Sequence, residues 1–240
     1  MINIEYFGVL QPPNNAYLFD LEALIFEPVP VLKHLRAQAK LDSFKCPAIT
    51  NHLKNTYYIL SPFDFTISKQ GTDVVITNDR DPNIDLSPFL TIGFPERETL
   101  NNQRMVCILL QYSFINKHDN IVMEVLDPPL VTKPLTNMPG EFSISKWARS
   151  TNFCFFMDPD VSAISFKRGE PLYAVRFQTT KNVTLDEITD DDKRFKILAA
   201  QGSGVKVKEW LPKLTLNECY KMFENKSISK EYTNFINKII

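Results

Sequence analysis

Two short polar segments near the middle of the chain carry most of the chemistry that this sequence offers. They are Ser145-Lys146-Trp147-Ala148-Arg149-Ser150 and Lys167-Arg168-Gly169-Glu170, and each flanks strand-like runs. If Trp147, Arg149, Lys167 and Arg168 converge, with Glu170 beside them, they could hold a small anionic ligand. Forked guanidinium hydrogen bonds suit a phosphate or carboxylate, and the indole suits a stacked ring or cation. The plainer alternative is a packed tryptophan and solvated turn charges.

Other chemistry is thinner. Cys46 precedes Pro47 at an expected helix start, where the helix dipole favours a thiolate, which makes Cys46 the candidate reactive thiol. His52 lies six residues further on, more than a helical turn away, and is poorly placed as its base. Cys107 and Cys154 sit inside apolar runs and read as small core hydrophobes. The four cysteines form no CxxC pair, which argues against a zinc ribbon or a redox motif of that type. The histidines, His34, His52 and His118, are nowhere closer than 18 residues. The adjacent pair His118-Asp119 would point to opposite faces of a strand, whereas a cupin-like metal oxygenase needs histidine and carboxylate on one face. His118 reads as a turn residue, and His34 and His52 as helix-surface residues. No metal and no cofactor is expected. Gln201-Gly202-Ser203-Gly204 lacks the Gly-Lys-Ser/Thr ending of a phosphate-binding loop and fits a helix C-cap better.

The elements that must position these groups are mostly strands. Residues 152–157 (NFCFFM), 161–166 and 172–177 (LYAVRF) are strand-like runs separated by Asp158-Pro159-Asp160 and by Lys167-Arg168-Gly169-Glu170-Pro171. Consecutive strands and turns of this kind predict an antiparallel meander. Further strands are expected over 2–9, 57–60, 63–68 and 73–77, with a re-entry into the sheet near 88–94. Residues 105–115 (MVCILLQYSFI) are apolar on both faces and predict a central strand, with 121–126 returning beside it as a hairpin. Helices are expected over 31–41 and 46–55, and 17–26 fits either a short helix or a buried strand. Residues 132–140 read as a surface connection.

After Thr180 the pattern becomes helical. Thr184 and Glu187 form a capping box for a helix over 185–201 that stops at Gly202. Thr215 with Glu218 caps a second helix, and 229–240 is a third amphipathic segment. This tail is expected to pack on the sheets or to mediate homo-oligomer formation.

Composition sets the outer limits. The 240 residues contain 27 basic and 28 acidic side chains, a balance that argues against general nucleic-acid binding. Glycine is scarce at 7, unlike doubly wound phosphate-binding folds, while 16 prolines favour many fixed turns. The first residues, MINIEYFGVLQPP, show neither a basic n-region nor an apolar h-region, so no secretory signal is expected. No apolar run approaches the ~20 residues that span a bilayer. The expected setting is a reducing cytoplasm, that of the host cell if the protein is viral.

Three stretches resemble a family of uncharacterised proteins from bacteriophages and bacteria. They are Cys46-Pro47 followed by the strand region from Tyr58 to Asp64 with its Ser61-Pro62, the 145–153 segment with Trp147 and Arg149, and Phe166-Lys167-Arg168-Gly169-Glu170-Pro171-Leu172 leading to Val175-Arg176-Phe177. The likeness covers about residues 40–180. It implies a phage origin and a mainly β fold, and it brings no activity and no catalytic residues. The Gly169-Glu170-Pro171-Leu172 turn is also similar to the strand entry of the dUTPase and dCTP-deaminase β-fold, whose nucleotide-binding motifs are missing here.

The expected fold is therefore mainly β (α+β). Two antiparallel sheets form a sandwich or jelly-roll-like core over 1–180, with N-terminal helices inserted near 31–55 and a helical extension over 181–240. Three functional readings follow. The first is a non-enzymatic accessory or structural protein that works by binding or oligomeric assembly. The second is a small-ligand or nucleotide-binding or hydrolysing protein with its site at Trp147, Arg149, Lys167, Arg168 and Glu170. The third is the cupin-like oxygenase.

Overall fold

A computed structural model describes residues 1–10, 25–38, 45–71, 73–83, 85–87, 90–92, 99–100, 103–116, 120–145, 150–194 and 197. The helices expected over 215–240, most of the ambiguous run 17–26, His118, Trp147 and Arg149 lie outside the described residues.

Alternation of apolar and polar side chains produces a chain dominated by strands. They begin with β1 (Ile2–Leu10) and β2 (Val29–Pro30), then come helices α1 (Val31–Gln38) and α2 (Pro47–His52). Next are β3 (Thr56–Leu60), β4 (Phe65–Gln70), β5 (Asp73–Asn78), β6 (Leu90–Ile92), β7 (Thr99–Leu100), β8 (Gln103–Arg104), β9 (Val106–Ile115) and β10 (Val122–Leu126). The series closes with β11 (Leu135–Asn137), β12 (Gly140–Ser143), β13 (Ser150–Met157), β14 (Ala163–Phe166), β15 (Pro171–Gln178) and β16 (Val183–Glu187).

Three sheets share one apolar core. The largest runs β11-β13-β9-β1-β16, with β6 also on β9; the second runs β12-β10-β15-β3-β2; the third is β14-β4-β5. Pairing is antiparallel except between β1 and β16, which run parallel. Successive residues of a strand point to opposite faces, so Ile2, Ile4 and Tyr6 enter the shared core while Phe7 and Val9 face the other way. An aromatic layer of Phe114, Phe153, Phe155, Phe166, Tyr173 and Phe177 fills the centre. Each such ring contributes roughly 1.5–3 kcal/mol on full burial, more than a typical hydrogen bond. The outer face of the second sheet is covered by Val31 and Leu35 of α1 and by Leu53, which pack on Tyr58, Leu60 and Ala174. Ile188 and Ile197 cover Phe7, Val9 and Ile115 on the outer face of the largest sheet. Gly8 permits a close approach on β1, because a Cβ there would come within 2.8 Å of Ile25 and 3.0 Å of Tyr112.

Several sequence expectations are overturned. The meander does not form: β13 joins the largest sheet, β14 pairs with β4, and β15 lies between β10 and β3. Turn residues stop a strand but do not choose its ladder. Here the β13–β14 connection is drawn onto β4 by Lys69, whose N–H donates to Ser162 O (2.8 Å) and whose Nζ donates to Asp158 O (2.8 Å). The β9–β10 hairpin is likewise absent. β9 ends at Ile115, Asn116 Nδ2 anchors on Asn3 O at 2.8 Å, and β10 pairs with β12 and β15 in the second sheet. The 132–140 connection contains β11, which pairs with β13.

The expected helix over 185–201 starts as a strand. β16 takes residues 183–187 because the edge of β1 offers Ile2, Ile4 and Tyr6 as partners for Val183, Leu185 and Glu187. Thr184 Oγ1 donates to Ile2 O (3.4 Å), the role of a strand residue rather than a cap. The helical turn at 191–194 is capped by Asp190 instead, whose Oδ1 accepts the Lys193 N–H at 3.2 Å.

Candidate functional site

The turn at Lys167-Arg168-Gly169-Glu170 joins β14 of the third sheet to β15 of the second. Gly169 has φ +81°, a backbone state that side-chain-bearing residues adopt at a cost. That state lets the turn dock on the β3–β4 connection. Gly169 N–H donates to Ser61 O and Ser61 N–H donates to Glu170 O, both at 2.8 Å. Within the turn, Glu170 N–H donates to Lys167 O (2.9 Å) and Glu170 Oε2 accepts the Lys167 N–H (3.0 Å).

Side chains from four elements then gather around the turn. Arg168 N–H donates to Asp64 Oδ1 (2.6 Å), Arg168 Nη1 donates to Pro62 O (2.5 Å), and the guanidinium sits 4.6 Å from the centre of the Phe26 ring. Arg80, just past β5, donates its Nε–H to the other oxygen of Asp64. Lys167 Nζ lies 3.7 Å from Asp79 Oδ2. Glu170 Oε1 pairs with Lys133 Nζ at 2.8 Å, and that ammonium also donates to Ser165 O (2.8 Å) above the Phe166 ring. The Arg168 N–H, then the Arg80 side chain, hold the Asp64 carboxyl below the ordinary aspartate range, with the charges of Arg80 and Lys167 adding to the effect.

Three of the sequence-designated ligand residues, Lys167, Arg168 and Glu170, are thus brought together, and each has an oppositely charged or carbonyl partner within the chain. Trp147 and Arg149 lie outside the described residues. The arrangement ties the third sheet to the second by matched charge. Asp64, Arg80, Lys133 and Phe26 are the partners that sequence reasoning missed. Asp64 lies three residues after Ser61 of the Ser61-Pro62 pair, but nothing in its spacing pairs it with a residue 104 positions away. Beside the turn lies a small apolar pocket lined by Pro62, Phe63, Phe65, Ile76, Leu110 and Leu172, among others.

Cys46 is exposed and sits just before the six-residue α2; its carbonyl accepts the Thr50 N–H at 3.0 Å, while its thiol makes no capping bond. His52 is exposed at the far end of α2. His34 is half-buried on α1 with its ring edge-on to Tyr58 at 5.3 Å, less exposed than a helix-surface residue. Among the described residues no three His, Cys, Asp or Glu side chains are grouped to hold a metal ion, and no helix is long and apolar enough to cross a membrane. Cys107 and Cys154, expected as small core hydrophobes, are buried and half-buried respectively and are opposed on β9 and β13. No protein-family model, no curated protein and no solved structure matches this chain.

Proposed function

We propose that the chain is a non-enzymatic binding and assembly protein built on a sandwich-like β core, an accessory or structural component of bacteriophage type, and that β5, at the edge of the third sheet, is its joining edge. The observation that carries this reading is the state of β5. Among the described residues it pairs with β4 alone, and after Asp73 its Val74-Val75-Ile76-Thr77 run carries no charge and no proline. Unpaired strand edges are templates for another strand, and proteins usually guard them. Among the described residues, the end strands of the two larger sheets and β14 have such guards. Lys133 Nζ donates to Ser165 O on β14, β2 contains Pro30, β16 carries Asp186 and Glu187, β12 carries Glu141, and β11 is three residues long.

The partner proposed is a second copy of this chain. Two β5 edges meeting antiparallel about a two-fold axis join two three-stranded sheets into one of six strands, the self-complementary contact typical of dimers. Val74 and Ile76 pack into the core, so Val75 and Thr77 lie on the opposite face of the strand. The resemblance to uncharacterised phage proteins, which brings no catalytic residues to carry over, fits the same reading, as do the matched charges of Lys167, Arg168 and Glu170.

Native mass spectrometry with light scattering tests the proposal. The expected species has twice the 27.7 kDa mass of one chain. Val75→Lys and the more conservative Thr77→Lys should each reduce it to a single chain with an unchanged circular dichroism spectrum. A wild-type protein that stays at single-chain mass overturns the proposal. A dimer that survives both substitutions removes β5 as the edge. A retained nucleotide-sized mass overturns the non-enzymatic reading in favour of a ligand site at Arg168.

A further inference from the structure

Cys107 and Cys154 are Cα partners in the antiparallel ladder between β9 and β13, at the centre of the largest sheet. Directly opposed residues of such a ladder stand about 4.5 or 5.5 Å apart at Cα. Both spacings fall inside the range of about 4.4–6.8 Å that a disulfide spans. The Cys154 Sγ lies 2.7 Å from the Cys107 Sγ. That is nearer than the roughly 3.5–4.0 Å at which even smaller carbon atoms rest in non-bonded contact. Both side chains are held by strands with paired neighbours on each side, so no backbone rearrangement is needed to join them. Exposure differs between the two: Cys154 is half-buried and Cys107 is 7% exposed. An incoming reagent therefore meets Cys154 first, with Cys107 behind it.

We propose that Cys107 and Cys154 form a reversible dithiol–disulfide site, with a small-molecule disulfide such as oxidised glutathione as the oxidant. The Cys154 thiolate attacks one sulfur of the reagent, forming a mixed disulfide and releasing the first glutathione thiolate. The Cys107 thiolate then attacks the Cys154 sulfur, forming the intramolecular bond and releasing the second. Two protein thiols are oxidised, one glutathione disulfide is reduced, and the two thiol protons end on the two released glutathiones. The new bond closes a 47-residue separation that contains β10, β11 and β12. It fastens β13 to β9 just beyond the irregularity in their pairing between Thr151 and Phe153. The site acts independently of the β5 edge.

The test uses the full chain equilibrated with oxidised glutathione, quenched in acid, alkylated and mapped by peptide mass spectrometry without reduction. The expected product is a Cys107–Cys154 link with no glutathione on either residue, reversed by excess reduced glutathione. Oxidised protein should melt higher than reduced protein by ~10 °C, since closing a loop of this length constrains the unfolded chain. Cys107→Ser should stop at a stable mixed disulfide on Cys154. The proposal is overturned by a wild-type chain in which both residues remain alkylatable, by one that retains glutathione on Cys154 with Cys107 reduced, or by a link from either residue to Cys46 or Cys219. The wild-type mapping decides the matter even if a variant fails to fold.

Discussion

The carboxylate of Asp64 accepts the backbone N–H of Arg168 at 2.6 Å, joining residues 104 positions apart. Asp64 leads into β4 of the third sheet, and Arg168 lies in the turn that enters β15 of the second. The two sheets are therefore held in register at this corner by a charge-assisted bond, reinforced by Arg80 on the other carboxylate oxygen. The basic turn that suits an anionic ligand in the linear sequence has, in three dimensions, an anion of the chain, Asp64, against its backbone.

This joint predicts a specific acid response. The Asp64 carboxyl is held below its ordinary value of 3.8, chiefly by the Arg168 N–H. A carboxyl with a depressed folded pKa contributes stability that is fully present above the unfolded value and is lost as pH falls through the lower folded value. Asp64→Asn keeps an acceptor oxygen but cannot titrate. Urea midpoints measured from about pH 6 to about pH 2 should fall less steeply for the variant than for wild type. Parallel curves would show that the bond contributes nothing charge-dependent.

Two residues share left-handed backbone conformations but should respond oppositely to substitution. Asn55 (φ 57°) uses its side chain three times: Nδ2 donates to Thr179 O (3.1 Å) and Lys181 O (2.8 Å), and Oδ1 accepts the Val183 N–H (3.1 Å). Asn55→Gly relieves no strain that matters and removes all three bonds, so it should cost about 2 kcal/mol in urea unfolding. Leu130 (φ 61°) is 71% exposed. A leucine pays ~1 kcal/mol for this conformation, and asparagine pays less. Leu130→Asn should therefore raise stability by roughly 0.5 kcal/mol, whereas Leu130→Val should lower it. A stabilised Asn55→Gly protein would contradict the account of both positions.

The positions of the strands are legible from the sequence because alternation and turn residues are local properties. The 106–115 run is central as its two apolar faces require, and β3, β4 and β5 fall where their patterns end at Ser61-Pro62 and Gly71. Partner choice is not local. Phe153, Ile164 and Val175 look alike in sequence, yet they belong to three different sheets. Thr184 and Glu187 fit a capping box equally well whether or not β1 offers an edge, and the edge decides. For the same reason the turn residues of the candidate site can be picked out, while Asp64, Arg80 and Phe26, which occupy them, come from distant positions.

Asn137 gives a stability prediction that no sequence pattern suggests. It is 4% exposed, and neither its Oδ1 nor its Nδ2 has a hydrogen-bond partner among the described residues. Its ladder partner is the core residue Phe155, and directly opposed residues share a face, so the amide enters the shared core. Leucine has the same branched arrangement of side-chain heavy atoms, with somewhat larger methyl ends, and no polar atoms to desolvate. Asn137→Leu leaves the backbone N–H to Asp127 Oδ1 intact (3.3 Å) and should raise stability by about 1–2 kcal/mol, read as a higher urea midpoint at unchanged slope. A lowered midpoint would mean that an ordered water satisfies the amide.

The buried tyrosines predict the alkaline limit of the fold. Burial raises the phenol pKa of Tyr6, Tyr57, Tyr58, Tyr112 and Tyr173, and Tyr58 is pushed up to about 12. Four of these hydroxyls bind from the neutral form. Tyr57 donates to Val183 O at 2.9 Å, Tyr112 to Phe26 O at 2.7 Å and Tyr58 to Pro129 O, while Tyr173 shares a 2.9 Å bond with Thr151. A group whose folded pKa is raised contributes stability that is complete below its unfolded value, here 10.0, and is lost as pH rises through the folded value. The fold should therefore hold to about pH 10 and then unfold in one step in which these tyrosines ionise together. Tyrosinate absorbance and near-ultraviolet circular dichroism followed in the same titration check this, because the two signals should change over the same pH interval. Tyr58→Phe should lose about 1 kcal/mol at neutral pH through the missing bond to Pro129 and recover part of that deficit above pH 10, since phenylalanine cannot ionise. Gradual tyrosinate formation with the circular dichroism intact would place these hydroxyls in contact with solvent and overturn the assignment.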